Sequence, residues 1–152
     1  LVFSTMHTND AAGSISRLQD MGIEPYLISS SLLAVQAQRL VRKICLSCKA
    51  QFETSELAAK LLGIAQDEIQ FVYKGKGCNV CGGTGYRGRV GLYELLVIND
   101  EVRSLINTSA DANLIRQKVL KQGLLTLKQD ALLKLADGVT SVEEVIRVIG
   151  VA

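Results

Sequence analysis

The sequence predicts an α/β chain in three parts: a strand with following helices over residues 1–43, a small cysteine-bound subdomain over 44–92, and a C-terminal helical bundle over 93–152. Three observations predict it. The chain opens on the apolar, β-prone run Leu1-Val2-Phe3-Ser4-Thr5; its middle carries two C-x2-C pairs among crowded glycines; and its last third repeats apolar residues at helical spacing between capping residues and Gly-containing turns. An apolar start without methionine reads like the middle of a central strand, so the sequence is expected to be the C-terminal piece of a longer protein.

Taken in order, His7-Thr8-Asn9-Asp10 supplies a polar turn with N-cap residues, and a helix is expected from about Ala11 to Asp20, stopped at Met21-Gly22. The only proline, Pro25, suits a first helical turn. A long helix is predicted from there to about Lys43, with Ile28, Leu32 and Val35 on one face and Leu33, Ala37, Leu40 and Val41 on another, a pattern that implies burial on both sides. Between the cysteine pairs a short helix is expected near 55–62 and a strand near 69–73; a further strand follows at 90–98. Four helices complete the chain: one capped by Asn99-Asp100, one capped by Asp111, one over about 126–136 stopped at Asp137-Gly138, and one opened by Thr140-Ser141-Val142-Glu143-Glu144, which holds two overlapping capping boxes.

Composition limits the partners. The 152 residues are 48% hydrophobic and 21% charged, enough for a core, and the lack of tryptophan makes that core aliphatic. Lys+Arg 17 against Asp+Glu 15 gives +2, with a pI near 8.4. That excess is too mild to point to nucleic acid or an anionic membrane. A zinc-ribbon nucleic-acid binder using Lys74, Lys76, Arg87 and Arg89 would also want a strong basic excess, which is absent. No stretch reaches the roughly 18 apolar residues of a spanning helix, since 26–40 is broken by serines, glutamines and Arg39. No signal peptide is legible, and a cytoplasmic location is expected.

The cysteines carry the chemistry. Cys45/Cys48 and Cys78/Cys81 form two C-x2-C pairs separated by 29 residues (49–77). Two intervening residues let both thiolates of a pair face one ion, and four thiolates close a tetrahedral sphere with no position left for water, the mark of a structural zinc site. Metal binding of this kind supplies folding energy to a small Gly-rich subdomain with few core residues. Disulfides would need an oxidising compartment, a thioredoxin-like redox pair would need a βαβ frame, and an iron–sulfur cluster is a further use of four cysteines.

Phe3-Ser4-Thr5-Met6-His7-Thr8-Asn9-Asp10-Ala11, Arg17-Leu18, Asp20-Met21-Gly22 and Gln38-Arg39-Leu40-Val41-Arg42 closely resemble the secretion and pilus-assembly ATPases, meaning the type II secretion ATPase and its type IV pilus extension relatives. The likeness runs on through the cysteines, Thr84-Gly85-Tyr86, Gly88-Arg89, Tyr93-Glu94-Leu95-Leu96 and Gly138-Val139-Thr140-Ser141, and so covers nearly the whole chain. Pilus retraction ATPases share the His7 segment but generally lack the four cysteines, which favours the filament-building branch.

The resemblance implies that residues 1–43 are the end of a RecA-like ATPase core. It further implies a homo-hexameric, Mg-ATP-driven cytoplasmic motor held at the inner membrane through a polytopic platform protein, pushing pilin or pseudopilin subunits into a filament. His7 matches the family's His box, where it would face nucleotide; it would otherwise hydrogen-bond the first helical turn. Arg17, on an exposed-looking helix position, would reach a neighbouring subunit of such a motor or else form a surface ion pair. Arg89, flanked by Gly88 and Gly91, would approach the nucleotide, or else stands solvated in its loop. No G-x4-G-K-[ST] occurs; Gly75-Lys76-Gly77 lacks the earlier glycine and the hydroxyl. The chain alone is therefore expected not to hydrolyse ATP. The alternative from another class is a zinc-stabilised protein-interaction module without nucleotide chemistry.

Overall fold

The computed structural model describes residues 1–108 and 111–150. Its elements are α1 (Ala11–Asp20), α2 (Pro25–Ser31), β1 (Ala34–Ile44), β2 (Lys49–Glu53), α3 (Glu56–Leu62), β3 (Phe71–Gly75), β4 (Tyr86–Val97), α4 (Asp100–Asn107), α5 (Ala112–Lys121), α6 (Leu127–Ala136) and α7 (Val142–Ile149), with single 3-10 turns at Leu46–Cys48 and Asn79–Cys81. The class is α/β. β1 pairs with β4, and β2 pairs with β3 antiparallel, Lys49 opposite Gly75 and Glu53 opposite Phe71. The chain forms two compact units, one of Leu1–Gln38 and Tyr93–Thr126, the other of Arg39–Leu92 and Leu127–Ala152.

In the first unit Asp10 starts α1: its backbone is extended and its Oδ1 accepts the N–H of Gly13 at 2.7 Å. Two further contacts hold the same turn. Arg116 of α5 donates to Asp10 Oδ2, and the buried Glu94 of β4 accepts the N–H of Ala11 at 2.9 Å. Gly22, at φ 82°, ends the helix, as its left-handed backbone allows. α1 packs on α5, α2 on α4, and α4 on α5. They enclose an aliphatic core of Ala11, Ala12, Ile15, Ile28, Leu96, Ile98, Val102, Ile106, Ile115 and Val119.

Two sequence expectations fail here. Leu1, Val2 and Phe3 are 92%, 89% and 88% exposed, and residues 1–8 lie in no strand, since β-prone side chains make a strand only where a ladder is formed. The long helix expected to Lys43 stops at Ser31, because residues 34–44 are β1. Val35, Ala37 and Arg39 are half-buried and Val41 is buried, alternating with exposed Gln36, Gln38 and Leu40. Apolar residues on two faces of a helical projection are what a period of two looks like at 100° per residue.

In the second unit Ser55 caps α3 by accepting the N–H of Ala58, and β3 begins at Phe71 rather than at 69. α7 packs on α3 and α6, and α6 on β3. The C-terminal helices therefore divide, α4 and α5 in the first unit and α6 and α7 in the second, where a single bundle was expected. The buried stripes explain it: Val102, Ile106, Ile115 and Val119 share a core with residues of α1 and α2, whereas Leu127, Ala131, Leu135 and Val145 are the buried residues of α6 and α7, which pack on β3 and α3.

The α6–α7 turn is tied down by side chains. Lys49 Nζ donates to the carbonyl of Asp137 at 3.2 Å and lies 4.2 Å over the Tyr73 ring. A Cβ on Gly138 would strike both side chains. Thr140 donates to the carbonyl of Arg42 at 2.9 Å, and Ser141 accepts the N–H of Glu144 while its hydroxyl meets that of Tyr86 at 2.7 Å. Of the two overlapping capping boxes, the second provides the cap.

Candidate metal centre

The two C-x2-C segments fold alike. In each, the second cysteine's N–H donates to the first cysteine's carbonyl, from Cys48 to Cys45 and from Cys81 to Cys78, both at 3.2 Å. Backbone bonds stitch the two segments together: Cys45 N–H to the Gly85 carbonyl at 2.9 Å and Lys76 N–H to the Cys48 carbonyl at 3.0 Å. The glycines make that approach possible. A Cβ on Gly75 would fall onto the carbonyl of Gly85, and one on Gly85, itself at φ 78°, would come within 2.5 Å of the carbonyl oxygen of Gly75.

All four thiols are free, and their sulfurs lie within 4.8 Å of one another. Cys45 to Cys78 and Cys48 to Cys81 are 3.9 Å apart, and Cys78 to Cys81 is 3.7 Å. A tetrahedron with zinc–sulfur bonds of about 2.3 Å has sulfur–sulfur edges of about 3.8 Å, so the donor set fits zinc; a disulfide needs about 2.05 Å. The surroundings favour thiolate at one corner. Burial pushes the Cys81 thiol up, but N–H groups of Cys78 and Gly85, each 3.2 Å from its sulfur, outweigh it and lower it to about 6. Cys48 is pushed up to about 11, mainly by burial. A bound dication would take all four as thiolates and lock β1, β4 and the β2–β3 hairpin at one point.

The remaining predicted residues are not among the four grouped thiols. His7 is exposed, in the segment before α1, and Arg17 is exposed on α1; both belong to the first unit. Arg89 is exposed on β4 in the second unit. It lines a cavity of about 500 Å³ together with Leu40, Arg42 and Arg147. Sequence reasoning missed Arg42, Arg147 and the residue that organises them. Glu144, fully buried, accepts from the Arg42 backbone N–H at 2.8 Å, from Arg42 Nε at 2.9 Å, and from Arg147 Nε and Nη2 at 2.9 and 2.7 Å. Arg42 Nη2 completes the set at 2.8 Å, and its guanidinium lies 4.2 Å over the Tyr86 ring. Burial pushes the Glu144 carboxyl up, but the two arginines outweigh it and hold it at about 2. The available signal was Glu144 in a capping box, and it was read as a cap alone.

The family described as Type II/IV secretion system protein matches residues 1–147. The chain is 45% identical, over 96% of its length, to the Type IV pilus assembly ATPase PilB of Thermus thermophilus. It is 45% identical over 97% to the Type II secretion system ATPase E of Vibrio cholerae, and 47% over 97% to the Type II secretion system protein E of Pectobacterium carotovorum. It spans 17% of the first of these relatives and 29% of each of the other two. Among the described residues no helix is long and apolar enough to cross a membrane.

Proposed function

We propose, since this chain belongs to the type II/IV secretion system protein family, that it is the C-terminal portion of a hexameric cytoplasmic ATPase whose ATP hydrolysis drives pilin or pseudopilin assembly. The observation that carries this reading is the near-complete match to relatives named as type IV pilus and type II secretion ATPases, of which the chain covers only a part. In this reading residues 1–43 close a RecA-like core. The P-loop and the acidic residues for Mg-ATP lie upstream, and an inner-membrane platform protein receives the motor's stroke.

The chain's own residues take limited roles. Cys45, Cys48, Cys78 and Cys81 hold a structural zinc ion, whose only chemistry is to fix the backbone around it. His7, next to the turn pinned by Asp10, Arg116 and Glu94, presents its ring to the nucleotide of the parent. Arg89 contributes a guanidinium to nucleotide phosphate from β4. Arg17, exposed on α1, meets the next subunit of the hexamer.

The test has two arms. Purified alone, this chain turns over no ATP above background, because the sequence holds no G-x4-G-K-[ST] loop. In the full-length parent, His7→Ala depresses hydrolysis while zinc content stays unchanged. A parent gene without a P-loop overturns the motor reading and leaves the zinc-braced interaction module, whereas robust turnover by the isolated chain overturns the assignment of the catalytic loop to the upstream part.

A further inference from the structure

We infer that Arg147, with Arg42 beside it, joins Arg89 in one phosphate-binding cleft of the second unit, so that the anion is met by guanidinia from three elements. This rests on the nucleotide role proposed for Arg89 and adds the residues that complete that subsite.

Arg42 stands on β1, Arg89 on β4 and Arg147 on α7, and all three line the same cavity. The Glu144 carboxylate, its side chain 1% exposed, engages Nε and Nη2 of both Arg42 and Arg147. A guanidinium has five N–H donors, so Nη1 of each arginine is left to serve a ligand. Glu144 accepts four hydrogen bonds, which fill its roughly four lone-pair positions, and Arg42 Nη2 adds an ion-pair contact, so the carboxylate is saturated. The two arginine side chains are 49% and 55% exposed and open to the cavity, while the carboxylate is not.

The charge does not balance within the chain. Three guanidinia face the cleft and one carboxylate answers them; among the described residues no carboxylate pairs with the Arg89 side chain. Holding like charges together is unfavourable until an anion arrives. Tethering to Glu144 and seating of Arg42 on Tyr86 fix two of the three planes in advance, so little side-chain freedom remains to be lost on binding. Planar, pre-ordered guanidinia match the paired oxygens of a phosphate. Among the described residues Leu40 alone gives the cavity an apolar wall, so the recognised group is the phosphate rather than a base or an acyl chain.

The experiment titrates the zinc-loaded chain with inorganic pyrophosphate by calorimetry at fixed ionic strength, beside Arg89→Gln, Arg147→Gln and Arg87→Gln. Arg87 is exposed on β4 but does not line the cavity. Wild type is expected to bind, Arg147→Gln to weaken binding by about tenfold, the loss of one charge-assisted contact, and Arg87→Gln to leave it unchanged. Should Arg147→Gln melt below the assay temperature, Arg147→Lys carries the same test. Its ammonium serves Glu144 or the phosphate but not both, and it weakens binding several-fold. Binding lost in Arg89→Gln but unaltered in the Arg147 variant overturns this inference and leaves the Arg89 role standing. No uptake by wild type at millimolar pyrophosphate overturns both, and an equal loss in Arg87→Gln reduces the cleft to general surface charge.

Discussion

Replacing Glu144 by glutamine removes a single negative charge from between two arginines while keeping the side chain's shape. The folded carboxyl sits at about 2 against an ordinary 4.5, a difference worth about 3 kcal/mol of folding stability at neutral pH. The sign follows from the depressed folded value. The contribution is complete above pH 4.5 and fades as pH falls toward 2, with about 2 kcal/mol of it gone by pH 3. The arginines are half-exposed and re-hydrate when the charge is removed, which keeps the loss below that of a pair sealed in a core. Urea unfolding of wild type and Glu144→Gln, followed by far-ultraviolet circular dichroism between pH 7 and pH 3, measures the gap directly. Metal release on acidification is common to both chains, so the gap carries the test rather than either curve. A gap below about 1 kcal/mol at pH 7, or one that stays constant down to pH 3, would refute the reasoning.

Cys78→Ser should abolish stoichiometric metal and unfold the second unit first, since a structural zinc site contributes on the order of 10 kcal/mol; elemental analysis with circular dichroism checks it, and a well-folded wild-type sample with no zinc removes the metal assignment. Gly75→Ala should cost at least ~2 kcal/mol and lower metal retention, because the new methyl group meets the Gly85 carbonyl; zinc content after dialysis against a weak chelator reads it. Asp10→Ala should destabilise the first unit by about 1–2 kcal/mol through the lost cap. Asp10→Asn, which keeps the acceptor for Gly13 and loses the Arg116 ion pair, should fall between, as denaturant midpoints would show.

What the sequence made legible was local. C-x2-C spacing is a statement about four neighbouring residues at a time, and the sulfurs meet as that spacing requires. Asp10, Asn99, Asp111 and Ser141 were identifiable caps, because a cap acts within three residues of itself, and each accepts the expected N–H. β1 was misread because Leu33, Leu40 and Val41 fit two periodicities, and only pairing with β4 decides between them. Arg42 and Arg147 were invisible as partners because what unites them, Glu144, comes from a different element than Arg42 and is reached only through the fold. Arg89 was singled out by resemblance; its neighbours in the cavity had no such guide.

The division of the chain also bears on how it is dissected at the bench. The polypeptide changes unit after Gln38, after Leu92 and after Thr126, so each unit is assembled from two separate stretches of sequence. A truncation at residue 92 strips α4 and α5 from one hydrophobic core and α6 and α7 from the other in a single stroke. Deletion mapping will therefore report two injuries as one. A spliced gene that joins residue 38 to residue 93 through a short flexible linker and ends at 126 keeps the core of the first unit whole, and the same splice logic, 92 to 127, isolates the cysteine centre with its arginine cleft.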